Sequence, residues 1–324
     1  MRRIDPMVRL LVVAIALATV LPVTPGWRDA AQFVANAAVF LLFLLNGLRL
    51  PRQEVIAGIG KWRLLAPLVV WVFGAMAAAG WTLWKAGQGW APPLVALGFL
   101  FLGTLPSTVQ SATAYSSLAG GNVASSVVAA ALLNILGVFV TAPLFAALAG
   151  SAAAAQGGGA LIKVMAILLL PFALGQWLQG RLGGWVKGHR DLVVWMDRSS
   201  IAIAVYVAFS GAVDQGIWTK VDPLGWGAVL AGCAVLLAFG YGGAWWLGGA
   251  LRLGRSDRIA LLFAGAQKSI AMGAPLATVL FAPAAAGIVL LPTLIYHLAQ
   301  LVVSAPLAAR LAQSAPAQRS AVAN

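Results

Sequence analysis

The chain has 324 residues, 61% of them hydrophobic and only 9% charged, with a mean hydropathy of +0.93. A soluble domain carries about 25% charged residues, so the composition excludes a water-soluble globule and predicts an all-α polytopic membrane protein. The formal charge of +13 does not point to nucleic acid, because Lys and Arg sit in short segments between apolar runs and form no single stripe or tail. The single Cys233 rules out an intrachain disulfide framework and any multi-cysteine metal site.

A spanning helix needs about 20 apolar residues. Ten candidates follow in order: 8–23, 33–50, 62–80, 92–117, 122–149, 161–180, 196–213, 223–249, 257–281 and 285–310. The first lies in MRRIDPMVRLLVVAIALATVLP, which has the basic start, apolar middle and small residues of a signal peptide. We read it as a retained helix, because only then do the topology and the repeat below work. With the N-terminus inside, 16 basic residues fall on cytoplasmic segments, from Arg2, Arg3 and Arg9 to Arg310 and Arg319. Four fall outside, Arg28, Lys85, Lys163 and Lys220, and Lys268 lies within the ninth span. That bias follows the positive-inside rule and predicts both termini in the cytoplasm, in a bacterial inner (plasma) membrane. Trp27, Trp62, Trp81, Trp84, Trp90, Trp218 and Trp226, near span ends, fit an interfacial belt.

The two halves are related. Val140-Thr141-Ala142-Pro143-Leu144 in the fifth span matches Val303-Ser304-Ala305-Pro306-Leu307 in the tenth, and Leu45-Asn46-Gly47 matches Phe209-Ser210-Gly211. Five spans per half is an odd number, so the repeat must be inverted across the membrane. The expected organisation is a first five-helix repeat in 1–150, a second in 151–312 and a polar tail in 313–324.

Spans four and nine are interrupted. Span four contains LPSTVQSATAYSSLAGGN, Leu105 to Asn122, where Pro106 removes a donor and should break the helix near Thr104. Gly120 and Gly121 close its second half. Span nine contains FAGAQKSIAMGAP, Phe263 to Pro275, with Gly265, Gln267, Lys268 and Ser269 at the equivalent place. Polar, Gly- and Pro-bearing backbone at membrane depth is costly unless it lines a cavity. Two broken helices that cross there present free N–H and C=O groups and dipole charge to an ion or an anionic group. The competing structural reading is that Ser and Thr bond back to the preceding turn or join helices. Gln110, Gln267 and Lys268 cannot be satisfied that way alone.

All eight acidic residues, Asp5, Asp29, Glu54, Asp191, Asp197, Asp214, Asp222 and Asp257, fall in expected loops or at helix ends. Lys268 therefore has no carboxylate partner within the membrane, where an ammonium costs at least ~2.5 kcal/mol. It should face water, give up its proton, or meet carbonyls, helix C-terminal ends or an anionic solute. The alternative is snorkelling from a helix end. His297 is expected as a packed, hydrogen-bonded histidine, with a proton relay as the sharper alternative.

No HExxH, P-loop, GxSxG or carboxylate pair supports an enzyme, and no charge ring or repeated filter supports a channel. The segment LPSTVQSATAYSSLAGGNVA resembles the first crossing-helix signature of the bile acid:sodium symporter family. It looks closer still to the branch with a T-x-P-S/T-T-V start and a Lys-Ser in the second crossing region. The resemblance covers about residues 1–312. It implies ten helices in two inverted repeats, with helices 1, 2, 6 and 7 as a panel and helices 4 and 9 crossing in a core.

Aligned on Gly121-Asn122, the resemblance puts sodium ligands at Ala112-Thr113, or at Gln110-Ser111 with a two-residue slip, and at Ser126 and Ala130. The family's E-x-G-x-Q-N-S becomes Phe263-Ala264-Gly265-Ala266-Gln267-Lys268-Ser269. The carboxylate is absent and a lysine stands where an amide was. The expectation is that the Lys268 ammonium takes the place of a coupling ion, so that transport is sodium-independent or coupled to Lys268 protonation.

The expected function is secondary active transport of a small organic, anionic, amphipathic solute. There is no cofactor, and sodium or a proton is the candidate coupling ion. The alternatives are a proton- or cation-coupled exporter on the same fold, a non-transporting membrane scaffold or regulator and, third, a membrane enzyme. The substrate- or ion-binding candidates are Thr108, Gln110, Ser111, Thr113, Asn122, Ser126, Gln267, Lys268 and Ser269, with Asn46, Asn134, Ser210 and His297 behind them. The partners expected are the solute and the lipid bilayer, with no nucleic acid and the oligomeric state open.

Overall fold

The computed structural model describes residues 6–49, 61–89, 91–150, 165–214, 216 and 223–314. The expected positions of Arg2, Arg3, Asp5, Arg52, Glu54, Trp90, Lys163, Trp218, Lys220, Asp222 and Arg319, and of the tail beyond Ser314, lie outside these residues. The described residues form helices and no β-strand. In order these are α1 (Pro6–Val20), α2 (Arg28–Arg49), α3 (Trp62–Gly87), α4 (Pro93–Thr104), α5 (Val109–Leu118) and α6 (Val123–Ala149). They are followed by α7 (Leu170–Gly188), α8 (Arg190–Asp214), α9 (Pro223–Ala250), α10 (Arg255–Ala266), α11 (Ile270–Leu280) and α12 (Pro283–Gln313).

Among the described residues, seven spans are long and apolar enough to cross a membrane, and an eighth joins them when α4 and α5, bent by 62°, are counted together. α10 and α11 form one of the seven. Of the ten expected spans, the two others are α1, apolar but only 15 residues long, and α7, which carries Arg181 and Lys187. Trp27, Trp62 and Trp81 are exposed, as an interfacial belt requires, whereas Trp84 is buried with the Lys85 ammonium over its ring.

Local sequence explains the helix ends around the breaks. α4 is apolar on every face, begins at Pro92-Pro93 and stops at Thr104, two residues before Pro106. α5 ends at Leu118, where Gly120 takes a positive φ of 72° and turns the chain. Asn122 then starts α6, its side chain accepting from Ser125 N at 3.0 Å. Ser269 caps α11 in the same way, accepting from Met272 N at 3.2 Å.

The helices pack in two groups. α1, α2, α7 and α8 pack on one another, and α3 to α6 pack with α9 to α12. The groups meet where α8 lies on α11 and α12 and where α2 lies on α11. The segment from Arg255 to Leu280 is almost wholly buried, so protein and not lipid surrounds its break. Within this second group Gly80 of α3 faces Gly103 of α4 so closely that a methyl on either would overlap the other helix's backbone.

Candidate functional site

The two interruptions lie against each other. Leu105 to Thr108 leave helical geometry between α4 and α5, and Gln267 to Ser269 separate α10 from α11. Backbone groups freed at this depth need partners, and they find them across the crossing. Ser269 N donates to Pro106 O at 2.9 Å and ties one break to the other. Asn134 of α6 donates from Nδ2 to Ser107 O at 3.0 Å. At the second break, Gln300 of α12 uses both ends of its amide: Lys268 N donates to Oε1 at 2.8 Å, and Nε2 donates to Lys268 O at 3.1 Å. Tyr296 OH donates to Ala266 O at 2.6 Å. One side chain thus replaces the turn that the break removes.

Gln267 is fully buried and joins three helices. Its Oε1 accepts from Thr108 Oγ1 at 2.7 Å and from Ser111 Oγ, and its Nε2 donates to Ser304 Oγ at 3.2 Å. Ser304 in turn meets Tyr241 OH at 2.5 Å. Because the Thr108 hydroxyl bonds Gln267, no side chain caps the first turn of α5, and that turn keeps its N–H groups for another acceptor.

Lys268 is also fully buried. Its Nζ donates to Leu105 O at 2.7 Å, to Gly103 O at 2.8 Å and, more weakly, to Val72 O at 3.4 Å. Gly103 and Leu105 lie at the C-terminal end of α4, where the helix dipole is negative. Val72 lies in a π-helical turn of α3, Trp71–Ala75. Three acceptors match the three N–H groups of an ammonium. A hydrogen bond to a charged group contributes roughly 1.5–3 kcal/mol, so the two short bonds together offset the minimum burial cost of about 2.5 kcal/mol. Of the contacts expected for Lys268, the geometry shows carbonyls at a helix C-terminal end. Snorkelling is corrected, because no part of the residue reaches the surface.

A cavity of about 320 Å³ opens beside the crossing. One wall is made by the first turns of α5 and α11, from Thr108 to Ser111 and from Ser269 to Met272. Leu42, Asn46 and Arg49 of α2, Val127, Ala131, Asn134 and Ile135 of α6, Asp197, Arg198 and Ile201 of α8, and His297 and Leu301 of α12 line the rest. Two helix N-termini therefore meet an otherwise largely apolar chamber, an arrangement that attracts an anionic group.

Thr108, Gln110, Ser111, Ser269, Asn46, Asn134 and His297 line this cavity. Gln267 stands behind Thr108 and Ser111, and Lys268 is held away from the cavity by the α4 carbonyls. Ser210 instead lines a separate space of about 40 Å³ with Arg28 and Asp214, which form an ion pair at 2.6 Å. Asn122 caps α6 and donates to Asp257 Oδ1 at 2.8 Å, and it does not line the cavity. Thr113 Oγ1 and Ser126 Oγ are buried hydroxyl oxygens without a hydrogen-bond partner among the described residues. Asp197, expected at a helix end, lies inside α8 because that helix begins at Arg190, and it pairs with Arg49 at the cavity wall.

Gln300, Tyr296, Ser304 and Tyr241 were not among the sequence candidates. Gln300 carried a signal: a lone amide in an apolar span, three residues from His297, whose Nδ1 lies 2.8 Å from Gln300 Nε2. Of the two registers that the resemblance implied for a sodium site, Ala112-Thr113 with Ser126 and Ala130 is poor in side-chain oxygens, whereas the slipped one places Gln110 and Ser111 at the cavity. Ala112, Ala130 and Phe263 offer no side-chain oxygen, and Phe263 stacks on Tyr115 with ring centroids 5.9 Å apart. Sodium is a hard cation that needs several oxygen ligands.

The sequence matches the SBF-like CPA transporter family over residues 5–313. It is 39% identical over 306 residues to an uncharacterized protein of Pseudomonas aeruginosa, covering 94% of this chain and 91% of that one. It is 37% identical over 316 residues to "Putative symporter YfeH" of Escherichia coli, covering 95% and 93%. It is 22% identical over 311 residues to sodium/bile acid cotransporter 7 of Mus musculus, covering 92% and 89%.

Proposed function

Because the chain belongs to the SBF-like CPA transporter family, we propose that it is a secondary active transporter carrying a small amphipathic organic anion by alternating access, without sodium. The observation that carries this reading is the cavity onto which the first turns of α5 and α11 both open. An anionic head takes the positive helix ends and the uncapped N–H groups of α5, and an apolar body lies against α2, α6 and α8. The names of the Escherichia coli and mouse relatives, a symporter and a sodium/bile acid cotransporter, agree with transport and with an amphipathic anion.

Two inverted five-helix repeats, 1–150 and 151–312, supply the frame. Helix starts recur at nearly constant spacing, which supports this division. Arg28 and Arg190 are 162 positions apart, Trp62 and Pro223 are 161, Pro93 and Arg255 are 162, Val109 and Ile270 are 161, and Val123 and Pro283 are 160. On this frame both termini are cytoplasmic in a bacterial inner membrane, and the cavity opens inward, between the start of α1 and the end of α2.

The Lys268 ammonium occupies the place of a coupling ion, fixed by the carbonyls of Gly103 and Leu105. The decisive experiment is uptake of an organic anion into proteoliposomes with sodium replaced by choline. Undiminished flux is expected. A strict sodium requirement that persists in Lys268→Met would overturn the tethered-ion reading and return attention to Thr113 and Ser126.

A further inference from the structure

The cavity has a second charged feature away from the helix crossing. Arg49, the last residue of α2, pairs through Nη2 with Asp197 and also approaches Val193 O at 3.5 Å. Arg198 lines the same cavity, and among the described residues it has no carboxylate partner. Its contact is the Trp195 ring, whose centroid is 5.7 Å from the guanidinium carbon. Arg49 Nε, Arg198 Nε and Asp197 Oδ1 are buried without hydrogen-bond partners among the described residues. Among the described residues, two guanidinium groups against one carboxylate leave one positive charge uncompensated at the wall. A buried N–H without an acceptor is unfavourable, so these guanidinium groups are poised to take an incoming acceptor.

The distance between this cluster and the crossing follows from helix geometry. On α6, Asn134 marks the crossing through its bond to Ser107 O, and Val127 marks the cavity's far extent toward the start of that helix. Seven residues at 1.5 Å each separate the two levels by roughly 10 Å. Leu42 and Arg49 on α2 are the same seven residues apart. Between the levels the lining is mostly apolar, with Val127, Ala131, Leu42 and Ile201, and Asn46 is the polar side chain there.

Building on the anion-carrier reading above, we propose that Arg198, with Arg49 held beside it by Asp197, forms a second anion seat. The preferred solute is then an elongated organic dianion, one acidic group at the N-terminal turns of α5 and α11 and the other on Arg198. Planar guanidinium donors suit carboxylate, sulfonate or phosphate oxygens alike.

The test uses the purified full-length protein in lipid nanodiscs and measures binding of suberate and sebacate against octanoate and decanoate at neutral pH. The diacid of matching length is expected to bind about tenfold more tightly than its monoacid. Arg198→Gln should bring that ratio close to one, and Arg198→Lys should keep part of it. Equal binding of mono- and diacids by the natural protein would overturn the second seat while leaving the anion carrier standing, as would an undiminished ratio in Arg198→Gln. Binding of none of the four acids would overturn both.

Discussion

The two helix breaks at the crossing reach the same end by different means. The first, between α4 and α5, is made by a proline, bends its span by 62°, and has its carbonyls satisfied by an ammonium and an amide from other helices. The second, between α10 and α11, contains no proline and stays straighter. Its unpaired N–H and C=O at Lys268 are both met by the Gln300 amide. The first break is thus stabilised by charge and the second by a neutral mimic of the backbone. The lysine that serves the first break is itself part of the second, so the two are linked through one residue.

Lys268→Met should have the largest effect, because it strips the donor from two buried carbonyls and leaves the C-terminal end of α4 without a counter-charge. Leaving a buried acceptor unsatisfied costs about 1–3 kcal/mol, so a loss of roughly 2–6 kcal/mol is expected, read as a lower unfolding temperature in detergent together with abolished uptake. A stable, active Lys268→Met would show that the first break does not depend on charge. Gln300→Leu also leaves two buried groups unpaired, Lys268 N and Lys268 O, but both lost bonds join neutral groups, so a smaller loss of about 2–3 kcal/mol is expected, with Gln300→Glu intermediate because it keeps an acceptor for Lys268 N. If Gln300→Leu proved as harmful as Lys268→Met, the distinction between the two breaks would fail. Gln110→Ala should have the smallest effect on stability, within about 0.5 kcal/mol for an exposed side chain. Its signature would be a raised KM for the solute with folding unchanged.

How much of this was legible in the sequence differs by feature. The stop at Thr104 followed from the missing N–H of Pro106, and the unwound Gln267-Lys268-Ser269 followed from polarity in an apolar span. Those are properties of consecutive residues. The direction of the Lys268 side chain was not legible, because it depends on α3 and α4 approaching through Gly80 and Gly103, positions far apart in the chain. The same applies to Ser210, which sits on the expected helix but lines a different cavity. Asp197 was misplaced for a local reason: α8 begins at Arg190, in a charged stretch that hydropathy alone assigns to a loop. Gln300 and Ser304 were hidden by their surroundings, since a single amide or hydroxyl in a long apolar helix has many bland uses.

On the proposed tethered-ion reading, the carbonyl cage around Lys268 would also set the energetics of a transport cycle. A free coupling ion crosses with its cargo and spends its own gradient, whereas a tethered ammonium returns with the protein and performs no net electrical work. A dianion moved by such a carrier bears the full membrane voltage, roughly 2.3 kcal/mol per elementary charge for every 100 mV. In a cell with a negative interior, the cargo is driven outward unless it exchanges for another anion of equal charge.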